Sequence, residues 1–159
     1  MSRAFRLCLL LSAAAVTSCG GKALDCGQLP CPDELLIWGD LTYKGSEAVH
    51  INVKICRNDK CSSGDVQADP LGHAEVTLQG DLPAVVELAS RTASDTWQLS
   101  VKVNDSNGTD GDKVTLTLTT VPKGTVIFDK KASSVKYVTS QPNGPECSPT
   151  CRSAIVAFD

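Results

Sequence analysis

Residues 96–104, with the sequence TWQLSVKVN, show the clearest alternation of apolar and polar side chains in the chain. A period of two is typical of a β-strand with one face toward a core and the other toward solvent. The two sides separate completely: the apolar side carries Trp97, Leu99, Val101 and Val103, and the polar side carries Gln98, Ser100, Lys102 and Asn104. We therefore predict a strand here, with Trp97 in the core rather than exposed as a sugar-stacking platform.

The same alternation recurs on both sides of this segment. It is present in residues 49–55, in AEVTLQ (residues 74–79) and in KVTLTLTT (residues 113–120). LLIWGDLTY (residues 35–43) opens with four apolar residues, and shorter candidate strands are AVVEL, TVIF, VKYV and SAIVAF. Turn-forming residues separate the runs, at 44–46, 69–72, 107–111, 122–124 and 142–145.

Short strands with regular turns, and no amphipathic helical stretch of useful length, predict the fold class. We expect an all-β domain over residues 35–159, built as an antiparallel β-sandwich of about eight or nine strands. An immunoglobulin-like or a transthyretin-like sandwich is the expected architecture. Such a fold does not by itself indicate a function.

The first 18 residues have the organisation of an export signal. Arg3 and Arg6 precede an apolar run over residues 7–16, which is too short to span a bilayer as a helix. Residues 1–18 are therefore predicted to be a signal peptide. Its removal would leave 141 of the 159 residues, enough for one domain with a single core.

The end of this segment, Val16-Thr17-Ser18-Cys19, resembles the lipobox of bacterial lipoproteins. The resemblance implies that the Cys19 thiol receives a diacylglyceryl group, that the chain is cut before Cys19, and that the new amine is often acylated with a fatty acid such as palmitate. Residues 19–34 would then be a lipidated N-terminus and tether. Gly20 stands where aspartate would favour inner-membrane retention, so the expected location is the cell envelope, at the outer membrane rather than the inner one.

The charge of the chain argues against some partners. The formal net charge is −3, and loss of Arg3 and Arg6 with the signal peptide would make it −5. A mildly acidic surface disfavours nucleic acid and anionic lipid as partners. The membrane is expected as a partner through the lipid anchor alone, with an envelope protein or surface ligand as a possible second partner.

Six cysteines remain after Cys8 and Cys19 are set aside, and an even number in an exported protein indicates disulfides. Their spacing fits neither a zinc knuckle nor a Cys-x-x-Cys redox motif. A local bridge between Cys56 and Cys61 is attractive because CRNDKC can form a hairpin-like loop. Fifteen connectivities are possible in total. One alternative for the other four is that the N-terminal pair bridges the C-terminal pair; these four are Cys26, Cys31, Cys147 and Cys151.

The most polar segment is NDSNGTDGDK, residues 104–113. Four of its side chains could offer oxygen ligands to calcium: Asp105, Asn107, Asp110 and Asp112. The segment does not fit an EF-hand loop that starts at Asp105. Position 6 would be Asp110, where glycine is required, and position 12 would be Leu116, where glutamate is expected. The alternative is a hairpin loop in which Asn, Asp and Gly adopt left-handed backbone.

No catalytic motif is found. The two histidines, His50 and His73, are expected at the surface, and the sequence lacks a zinc-binding His-Glu-x-x-His, a Gly-x-Ser-x-Gly elbow and a P-loop. Trp38 is the better candidate for an exposed aromatic residue. The row Thr115, Thr117 and Thr119 is explained by the high β-propensity of threonine. PECSPTC (residues 145–151) is expected to form a stable turn, with a recognition loop as the alternative.

The expected function is that of a membrane-anchored, non-enzymatic envelope lipoprotein, with its sandwich as a binding or scaffold module. The alternatives are a calcium-dependent adhesion module, and an envelope enzyme or enzyme inhibitor with a dispersed site.

Overall fold

A computed structural model describes Cys26 and residues 28–42, 48–69, 72–90 and 96–158. These residues contain no helix and eleven strands. The strands are β1 (Glu34–Thr42), β2 (Val49–Arg57), β3 (Lys60–Ala68), β4 (His73–Thr77), β5 (Gln79–Gly80), β6 (Ala84–Ser90), β7 (Thr96–Val103), β8 (Asp112–Thr120), β9 (Val126–Val135), β10 (Val138–Ser140) and β11 (Cys151–Phe158).

The strands form two sheets, which confirms the predicted all-β sandwich. The six-stranded sheet has the order β10-β11-β1-β7-β6-β4, and the five-stranded sheet has the order β5-β3-β2-β8-β9. Pairing is antiparallel except between β1 and β11, which are parallel. The parallel pair differs from the expected antiparallel pattern. It arises because the first and last strands begin at the same end of the sandwich.

The core lies between the inner faces of the two sheets. The alternation in residues 96–104 is confirmed in β7, where Trp97, Leu99, Val101 and Val103 are buried. The inner positions of β2 and β8 supply the facing layer with residues such as Ile51, Ile55, Leu116 and Leu118. Burial of these branched side chains stabilises the sandwich.

The number of strands exceeds the eight or nine that the sequence predicts. Two of the eleven, β5 and β10, have only two and three residues. Strand β3 was not expected at all, because KCSSGDVQA carries few apolar residues. It forms because a two-residue turn at Asn58 and Asp59 places it against β2. Only the side chains on its inner face need to be apolar or to have hydrogen-bond partners. That inner face carries Gly64, which is half-buried, and three buried residues, Ser62, Val66 and Ala68.

Several connections meet at the end of the sandwich where β1 begins. They are residues 28–33, the turn 58–59, the loop 104–111 and the loop 141–150. Hydrogen bonds join them: Leu29 N–H donates to Asn143 Oδ1 (2.7 Å), and Arg152 N–H donates to Asp33 Oδ1 (2.7 Å). We call this region, defined by those four segments, the disulfide end.

Candidate functional site

The predicted signal peptide and lipobox, including Cys19, lie outside the described residues, so their assignment stays a prediction. Within the part of the chain that the structure describes, no helix is long and apolar enough to cross a membrane.

All six of the remaining cysteines form disulfides at the disulfide end. Cys26 is bonded to Cys147, and Cys31 to Cys151, across 121 and 120 residues of sequence. Of the connectivities left open by the sequence, the structure has the one in which the N-terminal pair bridges the C-terminal pair. PECSPTC is therefore held at both of its cysteines to the segment that precedes β1.

The third bridge, Cys56–Cys61, is the local one that CRNDKC suggested. The two cysteines lie directly opposite each other in the β2–β3 hairpin. The hairpin closes through Asn58 and Asp59, with Asn58 at a φ of 53°. Asparagine tolerates this left-handed conformation better than most residues, which explains the tight turn.

A buried charged cluster lies beside this turn. Arg57 and Asp112 are 4% and 3% exposed; both point inward, Arg57 as the last residue of β2 and Asp112 as the first residue of β8. Arg57 Nη2 donates a hydrogen bond to Asp105, and Arg57 Nε lies 3.7 Å from Asp112 Oδ2. Asn58 Nδ2 donates to Asp112 Oδ1 (2.9 Å), and the Tyr137 hydroxyl donates to Asp112 Oδ2 (3.1 Å). The cluster thus ties together four segments of the chain.

The hydrogen bonds decide the ionisation of this cluster. Burial acts to raise the pKa of Asp112, but hydrogen bonds from Asn58, Thr109 and Tyr137 outweigh burial and leave the pKa below its usual value. Burial also acts to raise the pKa of Asp105. The hydrogen bond from the Asn107 N–H and the charge of Arg57 outweigh burial and lower this pKa. Both carboxyl groups are therefore ionised at neutral pH, so two negative charges face the single buried guanidinium.

The four proposed calcium ligands have different hydrogen-bond partners in the structure. Asp105 accepts from the N–H of Asn107 (2.9 Å) and pairs with Arg57, while Asp112 accepts from the groups named above. Asp110 is exposed and accepts from the N–H of Tyr137 (3.0 Å), which is the main cause of its lowered pKa. Among the described residues, no group of three or more His, Cys, Asp or Glu side chains is placed to hold a metal ion. The calcium hypothesis stays a prediction.

The two histidines lie on different sheets. His50 is on β2 and half-buried, and His73 is on β4 and exposed, with its Nε2 2.9 Å from Glu87 Oε1. No shared site brings them together. The threonine row lies on the outer face of β8, where the Thr117 hydroxyl donates to Asp129 Oδ1 (3.2 Å).

Apolar side chains lie together on the outer face of the six-stranded sheet. Ile155 is 69% exposed and Val138 68% exposed, and Trp38 is 37% exposed, as its uncertain phase suggested. The strand register places Leu36 opposite Ile155 and Trp38 opposite Ala157. We call these five residues, Leu36, Trp38, Val138, Ile155 and Ala157, the outer patch.

Sequence reasoning missed the outer patch because SAIVAF reads as one apolar run. Ala154, Val156 and Phe158 point inward in β11, which leaves Ile155 and Ala157 on the outside. The signal was available in the period of two, since an apolar residue in the outward phase of a strand is exposed unless another element covers it.

A shallow groove runs beside the outer patch on the same face. It consists of three adjoining depressions of about 630, 470 and 200 Å³. The first two share Glu34, Lys102 and Asn104, and the last two share Glu87 and Ser100. The groove therefore extends along β7 from the disulfide end. We call it the sheet groove.

Comparison with protein-family models, with curated proteins and with solved structures finds no match to this chain. Fold and site are therefore interpreted from the chain's own residues.

Proposed function

We propose that this protein is a lipid-anchored envelope protein whose rigid sandwich is a non-enzymatic binding module, with the outer patch as its protein-binding surface. The observation that carries the proposal is the clustering of exposed apolar side chains on three neighbouring strands, β10, β11 and β1. The lipid anchor rests on the lipobox resemblance at Cys19.

The outer patch has the composition expected of an interface. Isolated exposed apolar residues are ordinary, but a contiguous apolar area rimmed by polar residues often marks a contact with another protein. Trp38 supplies a large aromatic side chain of the kind enriched among the residues that dominate binding energy. Polar side chains surround it, including Asp40 along β1 and Ser100 directly opposite in β7. Because the patch lies on a sheet face, binding would not require a loop to become ordered, which avoids that entropy cost.

The disulfides support a role in presentation. Cys26 follows Cys19 by seven residue steps, and a chain of that length spans at most about 25 Å. A lipid on Cys19 would therefore hold the disulfide end close to the membrane surface. Because the bridges from Cys26 and Cys31 fix the entering chain to the last strand, the two sheets would stand as one rigid body above the anchor.

Capture from envelope extract tests this function. The full-length protein is immobilised in a nonionic detergent as wild type, as Ile155→Asp, and as Val126→Asp. Val126 is a matched control because it is 56% exposed and belongs to the five-stranded sheet. We expect wild type and Val126→Asp to retain the same envelope proteins and Ile155→Asp to lose them. An unchanged set of captured proteins with Ile155→Asp would contradict the proposal.

A further inference from the structure

Resting on the proposed function, we propose that the sheet groove binds an extended peptide segment of the partner protein that carries lysine or arginine between apolar residues. The outer patch would contact the body of the partner, and the groove would hold one of its strands or tails. Dimensions, charge and apolar lining each support this occupant.

The dimensions fit a short extended peptide. Along β7 the groove runs from Gln98 in the smallest depression to Asn104 in the largest. Six residue steps of a strand span about 20 Å at about 3.3 Å each. The groove therefore offers room for about six residues of an extended chain lying beside β7. Its lining residues lie on the solvent-facing side of the six-stranded sheet, where a peptide can reach them from solution.

The charge of the groove favours a cationic occupant. Glu75 of β4 and Glu87 of β6 are directly opposite each other in the strand register, and both are exposed. Like charges in this arrangement destabilise a sheet. Glu87 has His73 as its neighbour, whereas Glu75 has no ion pair within the described residues. A lysine or arginine placed between the two carboxylates would relieve their repulsion.

Elsewhere in the groove, the described charged side chains Lys102 and Glu34 form an ion pair, and part of the lining is apolar. Lys102 Nζ lies 2.7 Å from Glu34 Oε2, so Lys102, the one lysine among the described residues that line the groove, is neutralised by its neighbour. Leu36 and Val85 are half-buried and give the central depression an apolar part. Side chains two residues apart in an extended peptide point to the same face, so a peptide with a cationic and an apolar residue at such positions would present both to the groove.

Other occupants fit less well. Nucleic acid and anionic lipid would place phosphates against the pair of glutamates. A second copy of this chain would bring two such pairs together in a symmetric face-to-face contact. The mature protein as a whole is acidic, with a net charge of −5 once Arg3 and Arg6 are removed, so a basic partner is also favoured at longer range.

Binding of a defined peptide tests the proposal. The probe is a fluorescein-labelled ten-residue peptide in which every second residue is serine and the positions between are lysine and valine in turn, so that lysine and valine share one face of the extended chain. The comparison probe has glutamate in place of lysine. Fluorescence anisotropy is measured with the full-length protein in a nonionic detergent, at two salt concentrations. The variants are Glu75→Gln/Glu87→Gln and the matched control Asp65→Asn/Asp129→Asn. The control removes the same charge from the outer face of the five-stranded sheet, where both aspartates are exposed.

We expect the lysine peptide to bind wild type, the glutamate peptide to show no binding, and the Glu75→Gln/Glu87→Gln variant to raise the Kd at least fivefold. The control variant should change the Kd less than twofold. Equal weakening by both variants would show non-specific attraction and overturn the proposal. A rise in Tm with calcium that disappears in Glu75→Gln/Glu87→Gln would assign the pair to a cation and overturn it as well. Loss of peptide binding leaves the capture by the outer patch unaffected, so the two proposals fail separately.

Discussion

The two long disulfides should stabilise the fold in a strongly non-additive way. Each bridge alone closes a loop of 121 or 120 residues, worth about 4.9 kcal/mol at 25 °C when the chain-entropy relation is applied. When one bridge is present, the other closes only a ring of about ten residues, because Cys26 lies close to Cys31 and Cys147 to Cys151. The same relation gives about 2.7 kcal/mol for this second closure.

We therefore expect Cys26→Ala/Cys147→Ala and Cys31→Ala/Cys151→Ala each to cost about 2.7 kcal/mol of unfolding free energy, and loss of both bridges to cost about 7.6 kcal/mol. The free energies are measured by urea denaturation without reductant. The matched control, Cys56→Ala/Cys61→Ala, closes only a five-residue separation, and should cost about 2 kcal/mol alone or with either long bridge removed. Strict additivity of the two long bridges would refute the reasoning.

Further predictions concern the charged cluster, the two faces of the sheet, the loop between β7 and β8, and the anchor. Asp112→Asn should cost about 3 kcal/mol, because each carboxylate oxygen accepts two hydrogen bonds and the variant puts an NH2 donor in place of one of them. The folded pKa of Asp112 is lowered, so its stabilisation is present above about pH 4 and is lost as the pH falls through the folded pKa, and the variant should flatten this acid limb in urea titrations across pH. Trp97→Ala should cost about 3–5 kcal/mol and Ile155→Asp less than about 1 kcal/mol, since one is buried and the other exposed; equal losses in Tm would contradict the assigned faces. Calcium or a chelator should leave the Tm unchanged, because the loop carboxylates already accept hydrogen bonds from protein groups; a rise with calcium would contradict this expectation and support the calcium-binding hypothesis. Cys19→Ser should release the protein from membranes and abolish the lipoprotein mass shift, and a lipid-modified variant found in the membrane fraction would refute the anchor.

The period of two predicted most of the sandwich because burial of one strand face is a local property of the sequence. Residues 96–104 and 113–120 became β7 and β8 with the expected sides inward. Strand β3 escaped prediction because its pairing with β2 is imposed by the turn at Asn58, not by its own composition. The parallel contact of β1 with β11 escaped for a similar reason, since it joins segments more than a hundred residues apart.

The charged cluster could have been partly predicted. The inward phase of residues 49–55 continues to Arg57, and the inward phase of KVTLTLTT extends back to Asp112. A buried cation and a buried anion in neighbouring strands suggest a partnership, although their contact depends on the register between β2 and β8. The loop aspartates were instead grouped by closeness in sequence, and the structure directs Asp105 and Asp110 toward different partners.

The disulfide connectivity and the outer patch depend on tertiary placement. Sequence spacing favours the Cys56–Cys61 bridge, because the two cysteines are close in the chain. It leaves the long bridges as one alternative among several. The outer patch required knowing that no described element covers the outer face of β1 and β11. Trp38 is the one member of the patch whose exposure the sequence predicts.

Site-specific photocrosslinking in cells tests the binding surface most directly. A photoreactive amino acid is introduced at Ile155 in the outer patch, and, as the control, at Val126 on the other sheet. We expect a discrete crosslinked adduct from position 155 that is absent at position 126. No adduct at 155, or the same adduct from both positions, would contradict the assignment of the outer patch as the protein-binding surface.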